Sequence, residues 1–146
     1  MPVAEDQSTA NTAFVLESVR VTRGRLRLVL RWDPGSNMNV TPEFACEVLR
    51  TYPTITAHSC INRHGPTFGH ALPHTNIPHV IEHMIIEEQL AMSSVEVPSF
   101  QAFVGTTDID RDSGRAVIEV SFFDDIVALH SALTALNMAN RLLDNN

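Results

Sequence analysis

An α+β fold is what this sequence predicts: two layers, with an antiparallel sheet of about four strands packed against helices. Three observations carry that expectation. Two stretches, 14–32 and 100–123, alternate apolar and polar residues with period two around a turn-rich centre. Three further stretches space their apolar residues as helices do. Hairpins and helices that each own one apolar face bury those faces most simply against one another. The expected order is ββααββα.

The first 12 residues are small, polar and acidic, and read as a disordered tail ahead of a single domain spanning 13–146. Residues 14–21 and 25–32 read as strands joined by a turn at Thr22, Arg23 and Gly24. Leu26, Leu28 and Leu30 then share one face, and Arg25, Arg27 and Arg31 fall near or on the other. Thr41 is a good helix cap, followed by Pro42 and Glu43, and a short helix to about Tyr52 should bury Phe44, Val48 and Leu49 before Pro53 stops it.

Residues 54–75 read as an irregular, histidine-rich loop holding His58, Cys60, His64, His70 and His74. Asn76 can cap the next helix, with Pro78 early in it. Ile77, Val80, Ile81, Met84, Ile85, Ala91 and Met92 form its core face. The opposite arc carries His79, Glu82 and His83, but also Ile86 and Leu90, so a second layer, a partner subunit or a cleft wall should cover it. A second hairpin is expected at 100–108 and 115–123 around Asp110-Arg111-Asp112-Ser113-Gly114. Asp124 and Asp125 open a last helix to about Leu143. Its expected buried stripe is Ile126, Leu129, Leu133, Leu136 and Leu143, with Ala128, Ala132, Ala135 and Ala139 allowing close packing.

The composition narrows the function. At 146 residues and 44% hydrophobic, the chain can bury a sizeable core. No run approaches the roughly 18 apolar residues of a membrane span. The N-terminus has no basic segment leading into an apolar run, and the two cysteines, Cys46 and Cys60, make no disulfide framework. The expectation is therefore a cytoplasmic protein that does not act at a membrane. All ten basic residues are arginine, which excludes Schiff-base chemistry and lysine-dependent phosphate loops. A net charge of −7 argues against nucleic acid as the main partner. The arginines crowded into 20–31 read as the solvated face of a strand, or else as an anion-binding stripe.

The chemistry gathers in His79-Val80-Ile81-Glu82-His83, the H-x-x-E-H spacing of inverted zinc hydrolases. On a helix the two histidines lie one turn apart and can reach one ion, while Glu82 can take a proton from a water beside it. A bland alternative is that both histidines are satisfied polar residues of a buried helix. A metal needs a third donor. Glu119, on a strand expected beside this helix, is the first candidate and Glu87 the alternative, with a loop histidine or Cys60 also open. Glu87 lies about 12 Å along the axis from His79, so it suits His83's side of the site or a supporting role. His58, His74, Arg25 and Arg27 are candidates for holding substrate.

The run T-N-I-P-H-V-I-E-H-M-I-I-E-E-Q at 75–89 resembles a stretch of the N-terminal domain of cyanophycin synthetase. Y-P-T-I-T-A-H-S-C at 52–60 looks like an upstream element of that family, and 117–120 like its strand before an acidic turn and an alanine-rich helix. The H-x-x-E-H setting is also similar to that of pitrilysin-type metallopeptidases and S-ribosylhomocysteine lyase. The resemblance, over roughly 14–143, implies a stand-alone relative of that domain. It further implies a zinc-dependent hydrolase of peptide or isopeptide bonds, cyanophycin-like polymer included. The competing expectation is a non-catalytic binding or assembly module forming a homodimer or higher homo-oligomer.

Overall fold

The computed structural model describes residues 13–92 and 103–145. The expected tail at 1–12, and the start of the expected strand at 100–102, lie outside these.

Strands β1 (Val15–Thr22) and β2 (Arg25–Arg31) form the first hairpin. Gly24 turns it with φ of 69°, in the left-handed region where a Cβ is disfavoured. Helix α1 (Pro42–Thr51) begins as expected, with the Thr41 hydroxyl accepting from the Phe44 amide at 3.1 Å. It buries Phe44 and Val48, whereas Leu49 is exposed.

Residues 54–75 are more ordered than their composition suggests. A 3₁₀ turn at Ile55–Ala57 leads into a small hairpin, β3 (Ser59–Asn62) and β4 (Gly65–Thr67). Helix α2 (Phe68–Ala71) and a second 3₁₀ turn, Leu72–His74, follow. These elements are short and carry no sustained periodicity, so their pattern was invisible. They are tied in by the Phe68 amide, which donates to the His58 carbonyl at 2.8 Å. The segment around Asn39 pairs with that around Asn76: the Val40 amide donates to the Thr75 carbonyl at 2.9 Å, and the Ile77 amide to the Met38 carbonyl at 2.7 Å.

Helix α3 (Ile77–Met92) matches its expected span, and the Asn76 carboxamide accepts from the His79 amide at 2.9 Å. The second hairpin is β5 (Gly105–Asp110) and β6 (Arg115–Ser121), and α4 (Asp125–Asp144) ends the chain, capped by the Asp124 carboxylate. The main sheet is antiparallel in the order β1-β2-β6-β5, and β3-β4 is a separate two-stranded sheet. The α+β expectation holds.

Leu26, Leu28 and Leu30 of β2 and Ala116, Ile118 and Val120 of β6 are buried on the sheet face that meets the helices. Helix α3 packs on β5, β6 and α4, so the chain itself covers both apolar sides of α3, Ile86 included. The buried face of α4 keeps the expected Leu136 and close-packed alanines but is turned away from Ile126 and Leu133. It is built from Ala128, Ser131, Ala132, Ala135, Leu136, Ala139 and Leu142, while Ile126 is 75% exposed and Leu133 49%. Small residues let α4 approach α3 closely, and that contact outweighs the burial of the bulkier leucine stripe.

Candidate metal centre

Helix α3 brings His79 and His83 onto one face, with ring centroids 5.1 Å apart. Strand β3 supplies what the helix lacks. His58 is in extended conformation just before β3, and Cys60 follows two residues later, so both side chains leave the chain on the same side. Cys60 Sγ lies 3.6 Å from His79 Nε2, and His58 Nδ1 lies 2.9 Å from His83 Nδ1. Cys60, His79 and His83 each offer one ligand atom, and these atoms all fall within 4.8 Å of one another. Two ligands at about 2.0 to 2.1 and 2.3 Å on a tetrahedral ion stand about 3.5 to 3.6 Å apart, close to the 3.6 Å between Cys60 and His79. This group can hold a metal ion.

Each imidazole is held through its other nitrogen. His79 Nδ1 lies 2.7 Å from the Thr75 hydroxyl. His83 Nδ1 meets His58, whose Nε2 lies 2.7 Å from Glu87 Oε1, and the Thr54 hydroxyl donates to Glu87 at 3.0 Å. Phe68 stacks on the His83 ring at 4.0 Å and meets His79 edge-on at 5.3 Å. The rings are thus fixed by packing and hydrogen bonds, the support that metal-binding histidines ordinarily have.

Glu82 is buried beside them. Its Oε1 accepts from the Thr107 hydroxyl at 2.7 Å, and its Oε2 lies 3.3 Å from His83 Nε2. A Cβ at Gly105 would sit 2.7 to 2.8 Å from the Glu82 carboxyl group, so glycine there makes room for the acid. Burial pushes the Glu82 carboxyl up to about 7, against the opposing hydrogen bond from Thr107. Burial lowers His79, and lowers His83 strongly, with His79 and His58 adding to the effect on His83. Burial also raises the Cys60 thiol, opposed by its hydrogen bond with Asn62 and aided by the Glu82 carboxylate. The resting group is therefore a set of uncharged donors around a protonatable acid. A dication would favour the thiolate and keep both imidazoles neutral. The group faces a cavity of about 700 Å³ between β3 and the start of β5.

Several expected site residues lie elsewhere. Glu119 lies outside this group: it projects from the outer face of the sheet and pairs with Arg27 at 3.8 Å, both half-exposed. Arg25 and Arg27 share that outer face, away from the cavity, because Leu26 and Leu28 between them point into the core. His74 is exposed and stacks on His64 at 4.3 Å. His58 is 1% exposed and supports His83 rather than reaching substrate. Glu87 is not a donor of the group; it holds His58.

From the sequence Cys60 is only one of several open donors, and Thr75, Phe68, Gly105 and Thr107 do not stand out as site residues. The spacing His58-x-Cys60 carried a usable signal, since an extended chain presents such a pair on one side. The others carry no local signature. No family model, curated protein or solved structure matches this chain. The site's own chemistry therefore carries the functional argument.

Proposed function

We propose that the chain is a zinc-dependent hydrolase of peptide or isopeptide bonds, with Cys60, His79 and His83 as ligands and Glu82 as general base. The observation that supports this most is the convergence of three metal donors and a raised carboxyl on one open cavity. One sulfur and two imidazoles form a borderline-soft set that suits zinc better than magnesium or calcium, and three protein donors leave a position open. Zinc, when bound, supplies Lewis-acid activation of water and of the amide carbonyl.

Glu82 does the proton work. It accepts a proton from the attacking water through Oε2 and delivers it to the leaving nitrogen as the C–N bond breaks. One water is consumed, a carboxylic acid and an amine are released, and Glu82 returns to its starting state. Burial raises this carboxyl in the metal-free chain, and a dication bound beside it would favour the carboxylate, the form that accepts a proton from water. Thr107 orients the acid, and His58 with Glu87 orients His83. The cyanophycin synthetase resemblance makes a β-aspartyl isopeptide one candidate bond and an ordinary peptide bond the other.

The test is metal content and cobalt spectroscopy of protein purified without chelator, alongside Glu82→Gln. We expect about one zinc per chain, a thiolate-to-cobalt charge-transfer band lost in Cys60→Ala, and hydrolysis lost in Glu82→Gln with zinc retained. Protein that neither retains zinc nor is thermally stabilised by it would refute the metal centre.

One feature favours a second function, an assembly module. On β1, Val19 and Val21 stand beside Leu28 and Leu26 on the core face of the sheet yet remain 38% and 42% exposed. This apolar strip on an edge strand suits pairing with a second copy of the chain. Light scattering decides it: a dimer that Val19→Thr with Val21→Thr converts to monomer supports assembly, and a monomeric wild type excludes it.

A further inference from the structure

Strand β5 is one of the two outer strands of the sheet, paired with β6 on one side only among the described residues. The Ser121 amide donates to the Val104 carbonyl at 2.8 Å, in the same register as Gly105 opposite Val120. In an antiparallel ladder, hydrogen-bonded pairs alternate along the strand. Val104, Thr106 and Asp108 therefore spend their peptide groups on β6, and Gly105 and Thr107 direct theirs to the free edge.

That edge meets the cavity. Gly105 and Thr107 face Glu82, whereas Thr106 faces the opposite way and is exposed, yet all three line the cavity. A cavity bordered by both faces of one strand runs along its edge. Across it stand Cys60 and Ile61 of β3, so the candidate ligands and Glu82 lie beside a strand edge that no described residue pairs with. The lip is apolar: Ile61 is fully exposed and Val104 is 55% exposed, with buried Phe103 behind them. Among the described lining residues none is an arginine, so a substrate rich in carboxylates meets no cation there.

We propose that the cavity takes an extended, α-linked peptide, added as a further strand on the Gly105–Thr107 edge, with an apolar side chain against Ile61, Val104 and Phe103. This narrows the substrate of the hydrolase proposed above and rests on that proposal for its catalytic meaning, but the strand addition itself needs no metal. Main-chain hydrogen bonds provide the grip and the apolar lip the side-chain preference.

Hydrogen exchange on ¹⁵N-labelled full-length chain, without added metal, tests it. The probe is a blocked decapeptide of alanine and serine with a central phenylalanine-leucine pair. We expect the Gly105 and Thr107 amides to gain protection while Thr106, already paired to β6, is unchanged. Methylating the peptide's central backbone nitrogens should weaken binding at least about tenfold, from loss of one or two strand hydrogen bonds. A polymer with an aspartate backbone and arginine side chains should leave these amides unprotected. No protection at Gly105 and Thr107, equal binding of the methylated peptide, or protection by the branched polymer alone would each overturn the proposal. Metal-free protein hydrolyses nothing in this scheme, so the result stands or falls separately from the zinc and Glu82→Gln tests.

Discussion

His58 and His83 face each other Nδ1 to Nδ1 at 2.9 Å, an arrangement in which one ring must donate and the other accept. Glu87, 2.7 Å from His58 Nε2, decides which. The carboxylate accepts from His58 Nε2–H, so a neutral His58 offers its Nδ1 lone pair. His83 then donates from Nδ1 and keeps an unprotonated Nε2 on the side of Glu82. A carboxylate on β3's neighbour helix thus selects the tautomer that a metal requires. His58→Phe should weaken zinc binding by about 10- to 100-fold in chelator competition. Unchanged affinity would show that the pair has no bearing on the ligand.

Glu82 sets a distinctive pH dependence of stability. Its carboxyl rises from 4.5 to about 7 in the fold, so between those values the folded chain holds a proton that the unfolded chain has released. Folding takes up that proton, and this contribution to stability falls as pH rises through the window. Above pH 7 the full penalty stands, about 3 kcal/mol for a shift of this size. His79 and His83 act oppositely on the acid side: their lowered values make stability fall as pH drops below 6.5, where the unfolded chain binds protons first. Comparing Glu82→Gln with wild type cancels the histidine share. In metal-free protein, urea unfolding should show a difference that grows from pH 4.5 to pH 7 in favour of the variant, by about 3 kcal/mol. A difference independent of pH would contradict the buried, raised acid.

Gly105 and Glu82 should be energetically coupled. A methyl group at Gly105 would crowd the Glu82 carboxyl at 2.7 to 2.8 Å and disturb its bond to Thr107. Gly105→Ala should destabilise by about 1 to 3 kcal/mol, as overpacking does. In a Glu82→Ala background the cost should shrink by at least about 1 kcal/mol, because the obstructing carboxyl is gone. Thermal unfolding of the four chains of the cycle measures this, and additive effects would argue that the two residues do not meet.

Helix α4 offers a test of its buried face. Ala135 is fully buried, so Ala135→Leu should cost about 1 to 3 kcal/mol. Leu133 is 49% exposed, so Leu133→Ala should cost under about 1 kcal/mol. Denaturant midpoints of the two variants check the order, and a costlier Leu133→Ala would restore the leucine stripe as the core face.

Much of this was legible because it is local. Alternation in 25–31 placed the leucines of β2 inside and its arginines outside, and Thr41, Asn76 and Asp124 mark three helix starts by the hydrogen bonds their own side chains make. His79, Glu82 and His83 share a face because the rise and turn of one helix put them there. On α4 the expected Leu136 and the close-packed alanines are buried while Ile126 and Leu133 are exposed, because helical periodicity allows either flank of the stripe inward and only the neighbour α3 distinguishes them.

The sequence by itself determined the α+β class, the boundaries of α3 and the pairing of two histidines with a glutamate. Tertiary structure alone decided the rest of the site. Cys60 joins the two histidines because β3 carries its thiol to within 3.6 Å of His79, and Glu119 points away because the helices cover the other face of β6. Thr107 and Gly105 reached Glu82 from 25 and 23 positions away in sequence. Backbone geometry acts over a turn or a strand repeat, and periodicity reports it. Which surfaces meet depends on burial summed over the whole chain, and no short pattern of residues contains that sum.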